Sequence, residues 1–340
     1  MDLALVGLGR MGLNMALRLL RGGHRIVVHN RSQEPVATAH GEGAENAAAL
    51  ADLLTMLAPP RVVWLMLPAG PVTDAHLDEV YGVLEPGDVI VDGGNAHYHD
   101  TLRRAATAAE HGLRFVDVGV SGGVWGLANG YSLMVGGPED AVVLLEPALK
   151  TLAPAPDRGW GRVGPVGAGH YTKMVHNGIE YGMMQAFAEG FALLEARRFA
   201  ADGAAPDAEP DVALDLAQIA EVWRTGSVVQ SWLLDLTAEA LAARPGLAGV
   251  APFVPDSGEG LWTVQEALDL RVPTPVIAAS LFERFQSRTP DSFAYRLLSA
   301  MRGQFGAHPV KGAAGTDGLK PDGTLDLIPG GPRTEGATTR

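Results

Sequence analysis

Lys173, His176, Asn177 and Glu180 stand at positions i, i+3, i+4 and i+7, a spacing that places all four within roughly a 100° arc of one α-helix. An amine and a carboxylate on one face suit the oxidation of an alcohol. A desolvated, partly neutral lysine can take the hydroxyl proton as hydride leaves, and the carboxylate can serve a later proton transfer. The alternative is a solvated polar stripe with a Lys–Glu pair. Gly178 and Gly182 lie inside the same helix. Each costs about 1 kcal/mol relative to alanine, which makes sense where another backbone or a ligand comes close. Ser121-Gly122-Gly123 offers one hydroxyl and two backbone N–H groups to such a substrate, or is a structural turn.

A hydride needs an acceptor, and the N-terminus supplies a place for one. Gly7-Leu8-Gly9-Arg10-Met11-Gly12 follows a β-branched run and opens a helical pattern, the setting in which a G-x-G-x-x-G turn lets backbone approach a pyrophosphate. The end of the next strand reads Asn30-Arg31-Ser32, where NAD enzymes usually carry a carboxylate. A guanidinium and a hydroxyl suit a 2′-phosphate, so NADP is the expected cofactor, with NAD as the alternative if Arg31 is only a solvated surface charge. Leu67-Pro68 and Asp92-Gly93-Gly94-Asn95 follow two further strands at the ends where ligands bind in such sheets. Asn95 can hydrogen-bond the nicotinamide ribose or a substrate hydroxyl, or can be turn chemistry alone.

Elements must hold these groups. Leu3 to Val6, Arg25 to His29, Val62 to Leu67, Val89 to Val91 and Phe115 to Val118 read as strands alternating with helices. The expected fold class is α/β: a Rossmann-type doubly wound sheet followed by an all-helical C-terminal domain. The glycine-rich segment from Val118 to Gly137 leads into a helix at Pro138 to Leu152, after which Pro154, Pro156 and Gly159 mark a domain exit. Helical patterns then cover Gly167 to Arg198, Val212 to Arg224, Val228 to Ala243, Thr263 to Leu270, Pro275 to Gln286 and Ser292 to Arg302. The expected domains are 1–166 for the cofactor, 167–308 for substrate and dimerisation, and a flexible tail at 309–340.

Composition narrows the classes. The 340 residues carry 26 Lys+Arg against 39 Asp+Glu, a net charge of -13, which repels nucleic acid and anionic membrane. With no cysteine, disulfides, thiolate metal sites and cysteine nucleophiles drop out, and the cytoplasm is the expected compartment. No stretch reads as a membrane span, and no His or carboxylate spacing suggests a metal site.

Three segments together resemble the decarboxylating 6-phosphogluconate dehydrogenases: Gly119-Val120-Ser121-Gly122-Gly123, Asp92-Gly93-Gly94-Asn95 and, most specifically, Lys173-Met174-Val175-His176-Asn177-Gly178-Ile179-Glu180-Tyr181-Gly182. The likeness runs from residue 1 to about 308 and is to the short form, which lacks the long form's duplicated helical half. It implies that Lys173 is base and then acid, that Glu180 protonates an enediol carbon, and that Asn95, Ser121, Gly122, Gly123, His176 and Asn177 hold the substrate. It further implies that Tyr181 and Arg284 bind a sugar phosphate, and that Arg302 and His308 reach a partner subunit's site in a homodimer or homotetramer. Two departures stand out. The family often has a lysine or arginine where this chain has Leu261, and its short form commonly carries an acidic residue where this chain has Asn30-Arg31-Ser32. The glycine turn and Ser-Gly-Gly are shared with other β-hydroxyacid dehydrogenases, such as those acting on 3-hydroxyisobutyrate. In that rival reading, Arg284, Arg302 and His308 would be dispensable. In a second rival, a non-catalytic NADP-binding sensor, Lys173 and Glu180 would be.

Overall fold

Leu3 and Leu5 of strand β1 (Asp2–Val6) enter one apolar cluster, while Ala4 and Val6 enter another. The alternation repeats along the neighbouring strands, with Val62 and Trp64 on the first side against Val63 and Leu65, and Val89 and Val91 against Ile90. A sheet whose side chains are buried on both faces must be covered by helices on both. The computed structural model shows this sandwich; it describes residues 1–203, 209–306, 310–313, 319–320 and 322–325.

After β1 the chain runs α1 (Arg10–Arg21), β2 (Arg25–His29), α2 (Gln33–Gly41), β3 (Glu45–Asn46), α3 (Leu53–Met56), β4 (Val62–Leu65) and α4 (Pro71–Val83). It continues with β5 (Val89–Asp92), α5 (Tyr98–Glu110), β6 (Arg114–Ser121), α6 (Gly126–Asn129), β7 (Ser132–Gly136), α7 (Glu139–Leu152) and β8 (Trp160–Gly164). The strand order is β3-β2-β1-β4-β5-β6-β7-β8, parallel except for the β6–β7 pair. The order reverses between β1 and β4, so a crevice opens at their carboxyl ends. The expected sheet is present and extends further. β7 lies within the segment read only as glycine-rich, and β8 follows the proline-rich turn read as a domain exit. Both are five-residue strands whose glycines mask the period-2 signal.

The helical part opens with α8 (Ala168–Ala196), then the short pair β9 (Arg198–Phe199) and β10 (Val212–Ala213), α9 (Leu216–Trp223), α10 (Trp232–Ala243), α11 (Glu259–Asp269), α12 (Pro275–Ser287), α13 (Phe293–Gly306) and a second pair, β11 (Val310–Lys311) and β12 (Thr324–Leu325). The C-terminal part is helical as expected, with two small antiparallel pairs added. Helices α9 and α10 begin a few residues later than the pattern suggests, because Asp215 and Ser231 cap them by accepting from Gln218 and Leu234 N–H. The chain divides into two compact units, 1–249 with 256–281, and 250–255 with 282–340. Among the described residues no helix is long and apolar enough to cross a membrane.

How α8 meets the sheet decides where its polar face lies. Gly167, at φ +90°, has no side chain to cap the helix. Asp117, fully buried on β6, does so instead: Oδ1 accepts from Gly167 N–H at 2.7 Å and Oδ2 from His170 N–H at 2.8 Å. Burial pushes the Asp117 carboxyl up from its usual range, while the two N–H donors and His170 pull the other way. Missing side chains then bring the backbones together. A Cβ on Gly119 would lie 2.4 Å from Lys173 Cβ, and one on Gly169 would lie 2.5 Å from Met134 O. On the other side of α8, a Cβ on Gly178 would meet Thr263 of α11 at 2.7 Å. The close approach that Gly178 implies is therefore that of a neighbouring helix.

Candidate active site

The glycine turn is built from three different necessities. Gly7 has φ +92°, and a side chain there would strike Met66 O. A Cβ on Gly12 would fall 2.0 Å from Gly7 O, so no other residue fits, whereas one on Gly9 would meet nothing within 4 Å. The open space in front of Gly9 and the N-terminus of α1, which no side chain caps, fit a dinucleotide pyrophosphate. Gly9→Ala should accordingly leave the melting temperature unchanged and weaken dinucleotide binding at least tenfold, measured by fluorescence titration of the reduced cofactor; equal affinity would place the pyrophosphate elsewhere.

Asn30 proves to be part of the scaffold. Its Oδ1 accepts from Leu8 N–H at 2.9 Å and its Nδ2 donates to Ser32 O at 2.9 Å, so its amide is spent on holding the turn to β2. Arg31 and Ser32 are exposed at the rim. Across the crevice Thr73 fixes Pro68 through its carbonyl at 2.8 Å. Asp92 is tied to the buried Arg104 at 3.2 Å and accepts from Gly94 N–H at 3.1 Å, which aims the turn bearing Asn95.

One cleft of about 1820 Å³ joins this turn to the polar face of α8. Its walls include Gly7 to Gly12, Asn30 to Ser32, Leu67, Pro68, Asn95, Ser121 to Gly123, Lys173, His176, Asn177 and Glu180. Lys173 Nζ lies 3.4 Å from His176 Nδ1, and His176 Nε2 lies 3.4 Å from Ser121 Oγ. Glu180 Oε2 is 3.9 Å from His176 Nδ1. Burial pushes the Lys173 amine below its ordinary value, opposed by the negative charges of Glu180 and Glu259. An amine held down by desolvation beside a carboxylate is equipped for proton transfer.

Glu259 went unread in the sequence. It is 2 % exposed at the start of α11, and its Oε1 accepts from the side-chain amides of both Asn95 and Asn177, the latter at 3.2 Å. Only the flanking Gly258 and Gly260 hinted at a special position. Gly260 is where Tyr181 packs: a Cβ there would come 2.4 Å from the Tyr181 ring, which is 6 % exposed. Tyr181 faces α11 and does not line the cleft, because one residue beyond Glu180 turns it about 100° around the helix. The Tyr181 ring thus packs against Gly260 at the start of α11. Arg284 lies in the second unit, where its guanidinium donates to Pro255 O at 2.8 Å. Arg302 is exposed on α13, and the expected site at His308 falls outside the described residues. Among the described residues no three His, Asp or Glu side chains cluster as a metal site would require.

Comparison with known proteins bears on both halves. The family description "NAD binding domain of 6-phosphogluconate dehydrogenase" matches residues 2–163, and "6-phosphogluconate dehydrogenase, C-terminal domain" matches residues 169–296. A 6-phosphogluconate dehydrogenase of Haloferax volcanii, named NAD(+)-dependent and decarboxylating, is 44 % identical over 311 residues, covering 91 % of this chain and 98 % of that one. An NADP(+)-dependent, decarboxylating counterpart from Bacillus subtilis is 36 % identical over 300 residues, 84 % of this chain and 61 % of that one. The solved Plasmodium falciparum 6-phosphogluconate dehydrogenase, described in apo form and with NADP+ and 6-phosphogluconate, superposes with a TM-score of 0.75 at 28 % identity, covering 93 % of this chain and 67 % of that chain.

Proposed function

The chain belongs to the 6-phosphogluconate dehydrogenase family, and on that premise we propose that it oxidises 6-phospho-D-gluconate at C3 and releases carbon dioxide to give D-ribulose 5-phosphate. It is an NAD(P)-dependent oxidoreductase. The observation that carries the reading is the single cleft in which the uncapped glycine turn meets a desolvated Lys173 flanked by His176 and Glu180.

The nicotinamide supplies a hydride acceptor when bound. Lys173 takes the proton of the substrate 3-hydroxyl as C3 is oxidised. As the bond from C2 to the carboxylate breaks, its electron pair flows toward the 3-keto oxygen, and Lys173 returns its proton there. Glu180 then gives a proton to C1 of the enediol (the former C2) as Lys173 takes back the proton on the 2-hydroxyl, leaving the 2-ketone. Ser121, Gly122, Gly123, His176, Asn177 and Asn95 orient the carboxylate and hydroxyls. Arg284, Arg302 and His308 are assigned to the sugar phosphate, the last two offered to a second copy in a homodimer or homotetramer. Leu261 supplies no charge to that phosphate. The residues through 166 serve the cofactor, and those at 167–308 serve substrate and assembly. The enzyme is assigned to the cytoplasm.

NADP is assigned as the preferred cofactor through Arg31, whose side chain is exposed at the cleft rim beside Ser32. Arg31→Ala should lower kcat/KM for NADP by about tenfold or more, the worth of one charge-assisted hydrogen bond to phosphate, and leave that for NAD nearly unchanged. The reading as a whole is tested by reduction of NADP and NAD at 340 nm with 6-phosphogluconate, gluconate and 3-hydroxyisobutyrate, with carbon dioxide monitored. Turnover confined to 6-phosphogluconate with gas release is expected. Turnover with only an unphosphorylated acid would overturn it.

A further inference from the structure

A carboxylate accepts hydrogen bonds and donates none. Glu259 therefore decides which end of each amide faces it: Asn95 and Asn177 must both turn Nδ2 toward its Oε1. With Nδ2 of Asn177 committed, its Oδ1 is the atom 3.0 Å from His176 Nδ1. An amide oxygen accepts, so Nδ1 must carry the imidazole proton. In the neutral ring Nε2 then keeps a lone pair, and it is the atom 3.4 Å from Ser121 Oγ. The direction of every hydrogen in the series Glu259, Asn177, His176, Ser121 follows from one buried charge.

We propose that Glu259 is a positioning residue of this site, whose carboxylate orients the Asn95 and Asn177 amides and through Asn177 fixes His176 as the Nδ1–H tautomer. The substrate then meets a hydroxyl at Ser121 whose hydrogen is directed to His176. Nδ1–H also suits the free amine of Lys173, 3.4 Å away, because a lysine ammonium would oppose it donor to donor, whereas the amine lone pair can accept. Nothing in the linear motif around Lys173 encodes this. Glu259 arrives from α11, which the Gly178–Thr263 contact brings against α8. Thr263, with its hydroxyl 2.8 Å from Met174 O, anchors the same helix.

The inference rests on the assigned reaction only for its kinetic consequence; the tautomer is read without substrate. The test is two-bond 1H–15N correlation of the 15N-histidine-labelled full chain, with the His176 signals assigned by their loss in His176→Asn. The wild type is expected to show Nδ1 protonated and Nε2 bare. In Glu259→Gln the amide can present either N–H or oxygen to Asn177, so His176 should populate both tautomers. KM for 6-phosphogluconate should rise about tenfold, the effect of one misdirected hydrogen bond, with kcat changed much less. A wild-type His176 protonated at Nε2 overturns the proposal even if the variant fails to fold. A folded Glu259→Gln with unchanged tautomer and KM overturns it as well. An Nδ1–H tautomer in a protein inert toward 6-phosphogluconate would sink the assigned reaction and leave the wiring standing.

Discussion

Lys173→Met will reduce kcat with 6-phosphogluconate by about 10²- to 10⁴-fold, the usual worth of a positioned general base, while the dissociation constant of the dinucleotide stays within experimental error. Methionine keeps an unbranched apolar stem to lie against Gly119, so the contact that seats α8 on β6 survives and only the amine is lost. The cofactor turn is made by β1, α1 and β4, none of which Lys173 supports. The pH profile adds a sign. Burial pushes the Lys173 amine below its ordinary value, and the base must be neutral to act. In the wild type kcat/KM should therefore climb as pH rises through a value below the ordinary lysine figure of about 10.4. In the variant that limb should vanish from the residual rate. A Lys173→Met enzyme that kept the wild-type rate, or kept the same limb, would remove the amine from the mechanism.

Which parts of this arrangement could be read from the chain follows from the range of the forces that set them. Strands β1, β2, β4, β5 and β6 are buried on both faces and declare themselves as short apolar runs, and the glycine turn follows a strand at a fixed offset. The Lys173 face is legible because an α-helix converts sequence spacing directly into geometry. What stays hidden is set by contacts between distant segments. Asp117 looks like one polar residue in a strand, yet it caps α8 from fifty positions away. Glu259 sits eighty-two positions from Asn177, and no local periodicity joins them. Gly178 signalled a close approach but not its cause, a threonine on α11. Tyr181 was read by its place in a motif, and its packing against Gly260 of α11 is a contact no local spacing shows. Asn30, at the strand end, also holds the turn to β2 through both ends of its amide, a use that no spacing shows.

Gly119→Ala should be nearly as damaging as loss of the lysine itself, although Gly119 contributes no chemistry. Its new Cβ would stand 2.4 Å from Lys173 Cβ and 2.8 Å from Gly169 O. Real Cβ atoms do not come so close, and neither neighbour is the free end of a flexible side chain, so α8 must shift as a body away from β6. A displacement of even 1 Å at a reacting group costs about a hundredfold in rate, and kcat should fall by about that factor. Overpacking should also cost about 1–3 kcal/mol of stability, seen as a lower melting temperature. The dinucleotide turn lies on other strands, so cofactor affinity should hold. The pair of glycine variants therefore separates the two halves of the cleft: Gly9→Ala keeps the fold and loses the cofactor, while Gly119→Ala keeps the cofactor and loses the rate. If Gly119→Ala instead turned over at the wild-type rate, β6 would not be what sets the height of Lys173 above the substrate, and the amine would have to be positioned from α11 through Thr263 alone.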